Sequence, residues 1–123
     1  MYKNDIFANE AGVVLDELGE GGAKMHVVIE KRHLNAGNVA HGGVIYLLAD
    51  IAMAAMANYR QPLSVSIQSD IRFLAAAVEG DTLTAVAEEV CARKSLYNSR
   101  VDITNQRGEL IAIAEGMLHT KRI

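Results

Sequence analysis

Cysteine is almost absent from this chain of 123 residues, in which Cys91 is the only one. A single cysteine cannot form an intrachain disulfide. Its neighbours Glu89, Val90 and Ala92 include no histidine that would activate a thiolate. We therefore expect Cys91 to be a structural residue near the end of a strand.

Positive charge is also scarce, since 12 lysines and arginines face 15 aspartates and glutamates, giving a net charge of −3. The sequence pI is about 5.8. A chain without a basic stripe cannot release counterions from a polyanion, which argues against a general affinity for nucleic acid or for an anionic membrane. Any anionic ligand must therefore be held by a local cluster of cations.

Long uninterrupted apolar segments are missing too. The first seven residues contain no apolar core of a signal peptide. The most apolar run, 44–57, is shorter than a bilayer span and is interrupted by Asp50. We expect a cytoplasmic protein with no membrane partner.

Linkers, repeats and low-complexity segments are likewise absent. With 50% hydrophobic and 22% charged residues, the chain has the composition of one compact domain that covers residues 1–123. A chain of this length buries about two thirds of its unfolded surface in a single core.

The pattern along the chain predicts an α+β fold. Two strands, 13–18 and 25–30, flank a glycine-rich turn, and a loop over 31–41 leads into an apolar helix that ends near Asn58. Residues 63–73 alternate apolar odd positions with polar even ones, so we expect the odd side chains to face inward. Further strands are predicted over 82–92, around 97–103 and over 109–120. We expect a curled antiparallel sheet wrapped around the helix, with a second subunit or loops covering the rest of that helix.

Asp50 is the only polar side chain in the central part of the predicted helix, apart from the hydroxyl of Tyr46. An ionised carboxylate in an apolar helix costs several kcal/mol unless it is paired, hydrogen-bonded or protonated. It is either satisfied by backbone amides or water, or kept for chemistry, because buried titratable groups cluster at functional sites.

A family resemblance rests on residues around the start of this helix. An asparagine stands seven residues before the first glycine of a His-Gly-Gly triplet, and an aspartate stands eight residues after it. The segments 70–74, 79–83 and 101–105 agree in order and spacing. Over nearly its whole length the chain resembles the hotdog-fold acyl-CoA thioesterases of the phenylacetate-degradation type. The residues that carry the pattern are Asn35, His41, Gly42, Gly43 and Asp50.

The resemblance implies a hotdog fold, in which the curled sheet wraps around one long central helix. It also implies a homodimer with two interfacial active sites, often paired into a homotetramer. The activity that it implies is hydrolysis of an acyl-CoA substrate without metal or cofactor.

The chemistry of thioester hydrolysis can be assigned to the same residues. The backbone amides of Gly42 and Gly43 lie in the first turn, where a helix leaves N–H groups unsatisfied and presents its positive dipole end to a carbonyl oxygen. Asp50 supplies a base or a nucleophile. The rise of an α-helix places Asp50 about 12 Å along the axis from Gly42, so one carbonyl cannot touch both within one chain. Two antiparallel helices around a two-fold axis would share the site.

Three further residues have both a functional and an ordinary interpretation. Asn35 orients the thioester or the attacking water according to the resemblance, but it could also cap its own loop. His41 is expected to cap the helix or brace the loop rather than transfer a proton. Ser66 matches a hydroxyl that holds water in some relatives, and it could equally be an ordinary polar-face serine.

Coenzyme A needs cations for its phosphates. We predict that the turn Arg93-Lys94-Ser95 provides them, since relatives use a basic turn there and its backbone amides add donors. A solvated turn would look the same. The alternative cations are Arg72, Lys121 and Arg122.

Two other functions stay open at this point, a hotdog hydratase and a non-catalytic acyl-CoA sensor. A hydratase would typically carry a histidine a few residues past the aspartate, and position 55 is alanine. In the 4-hydroxybenzoyl-CoA branch of the hotdog thioesterases, a hydroxyl side chain assists a glutamate. The residue one turn beyond Asp50 is Ala54, which has no hydroxyl, so that branch is disfavoured. The acyl group is not readable, because Tyr46, Met53 and Met56 suit either a substrate pocket or an ordinary core.

Overall fold

The computed structural model describes residues 5–121. These residues form two α-helices, a single 3-10 turn and six strands. The elements are α1 (Ile6–Ala11), β1 (Val14–Gly19), β2 (Gly22–Val28), the turn Lys31–His33, α2 (Gly42–Arg60), β3 (Ser64–Phe73), β4 (Thr82–Ala92), β5 (Leu96–Thr104) and β6 (Leu110–Thr120).

The strands form one sheet in the order β1-β2-β4-β5-β6-β3, and every neighbouring pair is antiparallel. The inward-facing side chains of β2, β4, β5 and β6 pack against α2 and make the core of the molecule. The curled sheet therefore wraps around one central helix, which confirms the α+β, hotdog prediction. The predicted glycine-rich hairpin is present between β1 and β2.

Helix α2 continues two residues past the predicted end, because the backbone N–H of Gln61 still donates to the carbonyl of Ala57. At 19 residues it is long and apolar enough to pass a length-and-composition test for a membrane span. The helix extends beyond the apolar run 44–57 at both ends, so the length of that run does not by itself exclude a span. The sheet covers most of α2, as it would in any core helix.

One face of α2 is not covered within the chain. We call it the open stripe; its members recur at helical spacing and are exposed or half-buried, whereas the other positions between 44 and 57 are buried except for Tyr46. Because one sheet cannot enclose a helix, a face of this kind needs another covering surface. The open stripe consists of Gly43, Leu47, Asp50 and Ala54.

Strand β3 differs from the prediction. Val65 and Ile67 were expected to face inward, yet their exposed fractions are 54% and 57%, and Ser64 is buried. The cause is a β-bulge at Ile67, where the pairing register with β6 shifts between Ser66 and Gln68. A bulge adds one residue to the strand, so the set of positions that face the helix changes from even to odd.

Candidate active site

The start of α2 contains two glycines with different hydrogen bonding. The amide of Gly43 donates to Nδ1 of His41 over 2.8 Å, and His41 thereby caps the helix. A Cβ at position 43 would lie 2.9 Å from that nitrogen, so glycine is what permits this cap. The expectation that both amides are unsatisfied was wrong for Gly43, because the side chain of His41 occupies it.

The amide of Gly42 is the remaining donor. Within residues 5–121 no acceptor bonds to it, while the amides of Val44 and Ile45 both donate to the carbonyl of His41. A Cβ at Gly42 would lie 3.3 Å from the ring of Phe73, so any larger residue would press on that ring. An unpaired N–H at a helix start is a donor for an oxygen that gains negative charge.

Asp50 lies half-buried in the open stripe. Burial raises the pKa of its carboxyl, the hydroxyl of Ser66 opposes that rise, and the nearby charge of Asp5 adds to it. The hydroxyl of Ser66 donates to Oδ1 of Asp50 over 3.3 Å. A carboxylate with one long hydrogen bond in a partly apolar setting holds its proton more tightly than an exposed carboxylate does.

Asp81 shows what a structural buried aspartate looks like in the same chain. It is 3% exposed, yet its pKa is lowered, first by the hydrogen bond from the amide of Val78 and then by that from the side chain of Gln106. Arg107 lies 3.5 Å from its carboxylate. Among the described residues Asp81 accepts from several donors whereas Asp50 accepts only from Ser66, so the pKa is lowered at Asp81 and raised at Asp50.

A polar strip joins α2 to β3 beside Asp50. Besides the contact of Ser66 with Asp50, the hydroxyl of Tyr46 lies 2.5 Å from that of Ser69. Both serines face the helix because the bulge at Ile67 separates them. Sequence reasoning missed Ser69, since strict alternation would place Ser66 and Ser69 on opposite faces.

The contact between Ser66 and Asp50 predicts a pH effect. Because the hydroxyl of Ser66 stabilises the ionised carboxyl, Ser66→Ala should raise the pKa of Asp50 further. An activity that needs ionised Asp50 should then be lost at higher pH as the solution is acidified. The measurement is the acid limb of kcat/KM against pH. Ser69→Ala is the matched control, and an acid limb that does not differ between the two variants would contradict the assignment.

Asn35 lies in the loop before α2, where its Oδ1 accepts from the amides of Gly37 and Val39 over 2.8 and 3.3 Å. The ordinary loop-capping contact is therefore present. It uses only the oxygen, and no partner within the described part of the chain bonds to Nδ2. An exposed Asn35 thus keeps an N–H₂ donor at the side of the helix start.

Two polar residues that flank the loop and the helix have structural contacts. Nδ1 of the buried His33 accepts from the amide of Glu30, and its Nε2 lies 2.7 Å from the carbonyl of Ala11. Asn58 bonds to Ala54 and Ser64 and fixes the corner after α2. Met53 and Met56 are fully buried, so they belong to the core and do not border an open pocket.

The basic turn Arg93-Lys94-Ser95 lies at the C-terminal end of α2. The carbonyl of Ser95 accepts from the amide of Thr120, whose hydroxyl accepts from the side chain of Gln61. Lys121 follows directly, so it lies beside the same turn. Within residues 5–121 neither Arg93, Lys94 nor Lys121 forms an ion pair.

The other alternative cations lie elsewhere or cannot be described. Arg72 lines a charged pocket with Asp70, Arg100 and Glu115 on the outer face of the sheet. Arg122 lies outside the described residues. Residues 5–121 contain no group of three or more His, Cys, Asp or Glu side chains that could hold a metal ion.

A curled antiparallel sheet of six strands wrapped around one long helix defines the hotdog fold. The profile of the thioesterase superfamily matches residues 37–112. The chain belongs to this superfamily, in its phenylacetate-degradation type, and is a thioesterase.

Individual relatives agree with this assignment. The chain is 32% identical to the acyl-coenzyme A thioesterase PaaI of Escherichia coli over 119 residues, which is 97% of this chain and 85% of that protein. The solved structure of E. coli PaaI, from the phenylacetic acid degradation operon, covers 99% of this chain and 88% of its own length with a TM-score of 0.95 and 31% identity.

Two more distant relatives have informative names. Human acyl-coenzyme A thioesterase 13 is 32% identical over 98 residues, which is 77% of this chain and 68% of that protein. A hypothetical thioesterase protein of Streptococcus pneumoniae TIGR4, solved with coenzyme A, superposes with a TM-score of 0.88 at 26% identity and covers 98% of this chain and 97% of its own.

Proposed function

We propose that the protein hydrolyses an aromatic or medium-chain acyl-CoA to the free acid and CoA. The observation that carries the proposal is the presence of two suitable groups on α2. The amide of Gly42 is unpaired, and Asp50 has a raised pKa on the open stripe. Three of the relatives above support the substrate class, since two are named acyl-coenzyme A thioesterases and one was solved with coenzyme A.

In the proposed mechanism the Gly42 amide donates to the thioester carbonyl oxygen, which gains negative charge as the carbon becomes tetrahedral. Asp50 either attacks the carbonyl carbon or removes a proton from a water that attacks it. The C–S bond then breaks and the thiolate of CoA leaves. Asn35 donates from Nδ2 to the substrate or water, and His41 supports the helix start through its contact with Gly43.

The two groups must come from different subunits, because about 12 Å of helix separates them in one chain. Strand β3 supports such an assembly. It is the last strand of the sheet, ten residues long, with exposed Val65 and Ile67, and no other strand of residues 5–121 lies on its outer side. A long apolar edge is a template for pairing with another chain. We infer a homodimer paired through this edge, and a homotetramer built from two such dimers.

The phosphates of CoA are assigned to the basic turn. Arg93, Lys94 and Lys121 are adjacent and unpaired, whereas Arg60 already contacts Glu89 over 3.2 Å. An acidic protein attracts a polyanion only through such a local cluster. Arg72, on the outer face of the sheet, is not assigned to this site.

The test of the proposed function is a screen of purified protein against acetyl-, hexanoyl-, decanoyl-, phenylacetyl- and benzoyl-CoA, with release of the CoA thiol as the readout. We expect turnover of at least one aromatic or medium-chain ester. Binding of acyl-CoA without turnover would overturn hydrolysis and support the sensor function instead.

A second prediction concerns the basic turn. Replacing Arg93 and Lys94 by glutamine should raise KM several-fold, leave kcat nearly unchanged and weaken the salt dependence of kcat/KM, because exposed charge contacts are screened by salt. The matched control is Arg72→Gln, which removes one cation from another face. An unchanged KM in the double variant would show that the turn is solvated surface.

A further inference from the structure

A groove of about 450 Å³ lies between α1 and the first two turns of α2. It opens beside the start of the active-site helix, since Gly43 is part of its wall. Its volume is within the range of small-molecule sites. Most of its other wall residues are apolar, namely Phe7, Ala11, Leu34, Val44 and Leu47.

Arg32 and His33, two polar residues of the groove wall, are occupied by other contacts. The guanidinium of Arg32 donates to the carboxylate of Glu30 and to the carbonyl of Glu10. Both ring nitrogens of His33 are occupied. The groove therefore presents no unpaired cation to a phosphate, and an apolar group is the ligand that its walls suit.

Helix α1 forms one wall of the groove, and contacts with neighbouring residues fix its position. Its C-terminal end is held by Arg32 and His33, which contact the carbonyls of Glu10 and Ala11. Its N-terminal end lies close enough to Asp50 for the charge of Asp5 to influence that carboxyl. Phe7, between these ends, is 70% exposed although it borders the groove. An aromatic side chain in this position gains stabilisation when an apolar ligand covers it.

The proposed arrangement of the shared site indicates which end of the substrate faces the groove. When the partner subunit's Asp50 lies beside Gly42, the C-terminal end of the partner helix, with its basic turn, lies about 15 Å further along the axis, beyond the start of α2. The phosphates of the substrate point that way. The acyl group must leave the carbonyl in the other direction, towards α1.

We propose that the groove between α1 and α2 binds the acyl group, and that Phe7 and Leu47 determine which acyl groups are accepted. This inference rests on the proposed function. A chain of several methylenes, or an aromatic ring, would cover Phe7, whereas an acetyl group would end near Gly43.

The test compares acyl groups of increasing length in three variants. Phe7→Ala should lower kcat/KM for hexanoyl- and phenylacetyl-CoA about tenfold and leave that for acetyl-CoA within about twofold, because only the longer groups lose a hydrophobic contact. Leu47→Phe should narrow the groove and shift the preference to shorter chains. Ile6→Ala, on the same helix and equally exposed but outside the groove, is the control and should change no ratio.

The outcomes separate the two proposals. If the native protein hydrolyses no acyl-CoA, the proposed function fails and the acyl groove with it. If the native protein is active but Phe7→Ala and Leu47→Phe change all chain lengths equally, or change none, only the acyl groove is wrong. Equal melting temperatures of the three variants and the native protein show that the comparison is made on folded chains.

Discussion

Asp50→Asn should lower kcat by about a hundredfold or more and leave KM nearly unchanged. Asparagine has almost the same shape and can still accept the hydroxyl of Ser66, so the local packing is kept. It cannot take a proton from water or form an acyl-enzyme, so the chemical step is lost. The measurement is steady-state kinetics on the best acyl-CoA from the screen, and native turnover in the variant would refute the role of Asp50.

The same substitution should raise the melting temperature at neutral pH. The pKa of Asp50 is raised in the folded chain, so its contribution to stability is fully present below the unfolded pKa and is lost as pH rises through the folded pKa. At pH 7 the ionised carboxyl therefore destabilises the fold, and asparagine removes that cost. Activity and stability should change in opposite directions, as at other sites kept for function.

Asp81→Asn is the matched control, since it alters a second aspartate that lies outside the open stripe. The pKa of Asp81 is lowered in the folded chain, so its contribution to stability is present above the unfolded pKa and is lost as pH falls through the folded pKa. At pH 7 this variant should melt at a lower temperature and keep its kcat. A rise in melting temperature for Asp81→Asn, or a fall for Asp50→Asn, would contradict this reasoning.

Most of the fold follows from local patterns in the sequence. The glycines at 19, 21 and 22 indicate a hairpin, and the alanine- and methionine-rich run after Gly43 indicates a buried helix. Strand β3 is the exception, because its alternation is regular in sequence but is interrupted in space at Ile67. A bulge depends on pairing with β6, which the residues of β3 do not encode locally.

The site residues, too, can be assigned from the sequence only where the signal is local. Composition is enough to single out Asp50, since a carboxylate is conspicuous in an apolar helix. It cannot distinguish Gly42 from Gly43, because the choice depends on the rotamer of His41, and histidine is not among the usual N-cap residues. Nor can it show that Lys121 lies beside the turn at 93–95, which follows from the pairing of β3, β5 and β6.

The most direct test of the shared site is complementation between two inactive chains. Asp50→Ala removes the base or nucleophile. Gly42→Val places a side chain against the ring of Phe73 and crowds the amide. Each homodimer should lose at least about 99% of its activity, because each of its sites lacks one of the two groups.

Mixing the two variants in equal amounts, under conditions in which subunits exchange, should restore about a quarter of native activity. Half of the resulting dimers combine one chain of each kind, and each such dimer contains one intact site, with Gly42 from one chain and Asp50 from the other. Its second site carries both substitutions and is inactive. The control is a chain with both substitutions mixed with native protein under the same conditions. Its heterodimers also number half but contain no intact site when each site draws on both chains, so exchange should lower the activity from half to about a quarter of that of an all-native sample, which the remaining native homodimers supply. Activity that stays at half of the all-native level in this control mixture, or that fails to return in the first mixture after mass spectrometry has confirmed exchange, would place both groups in one subunit.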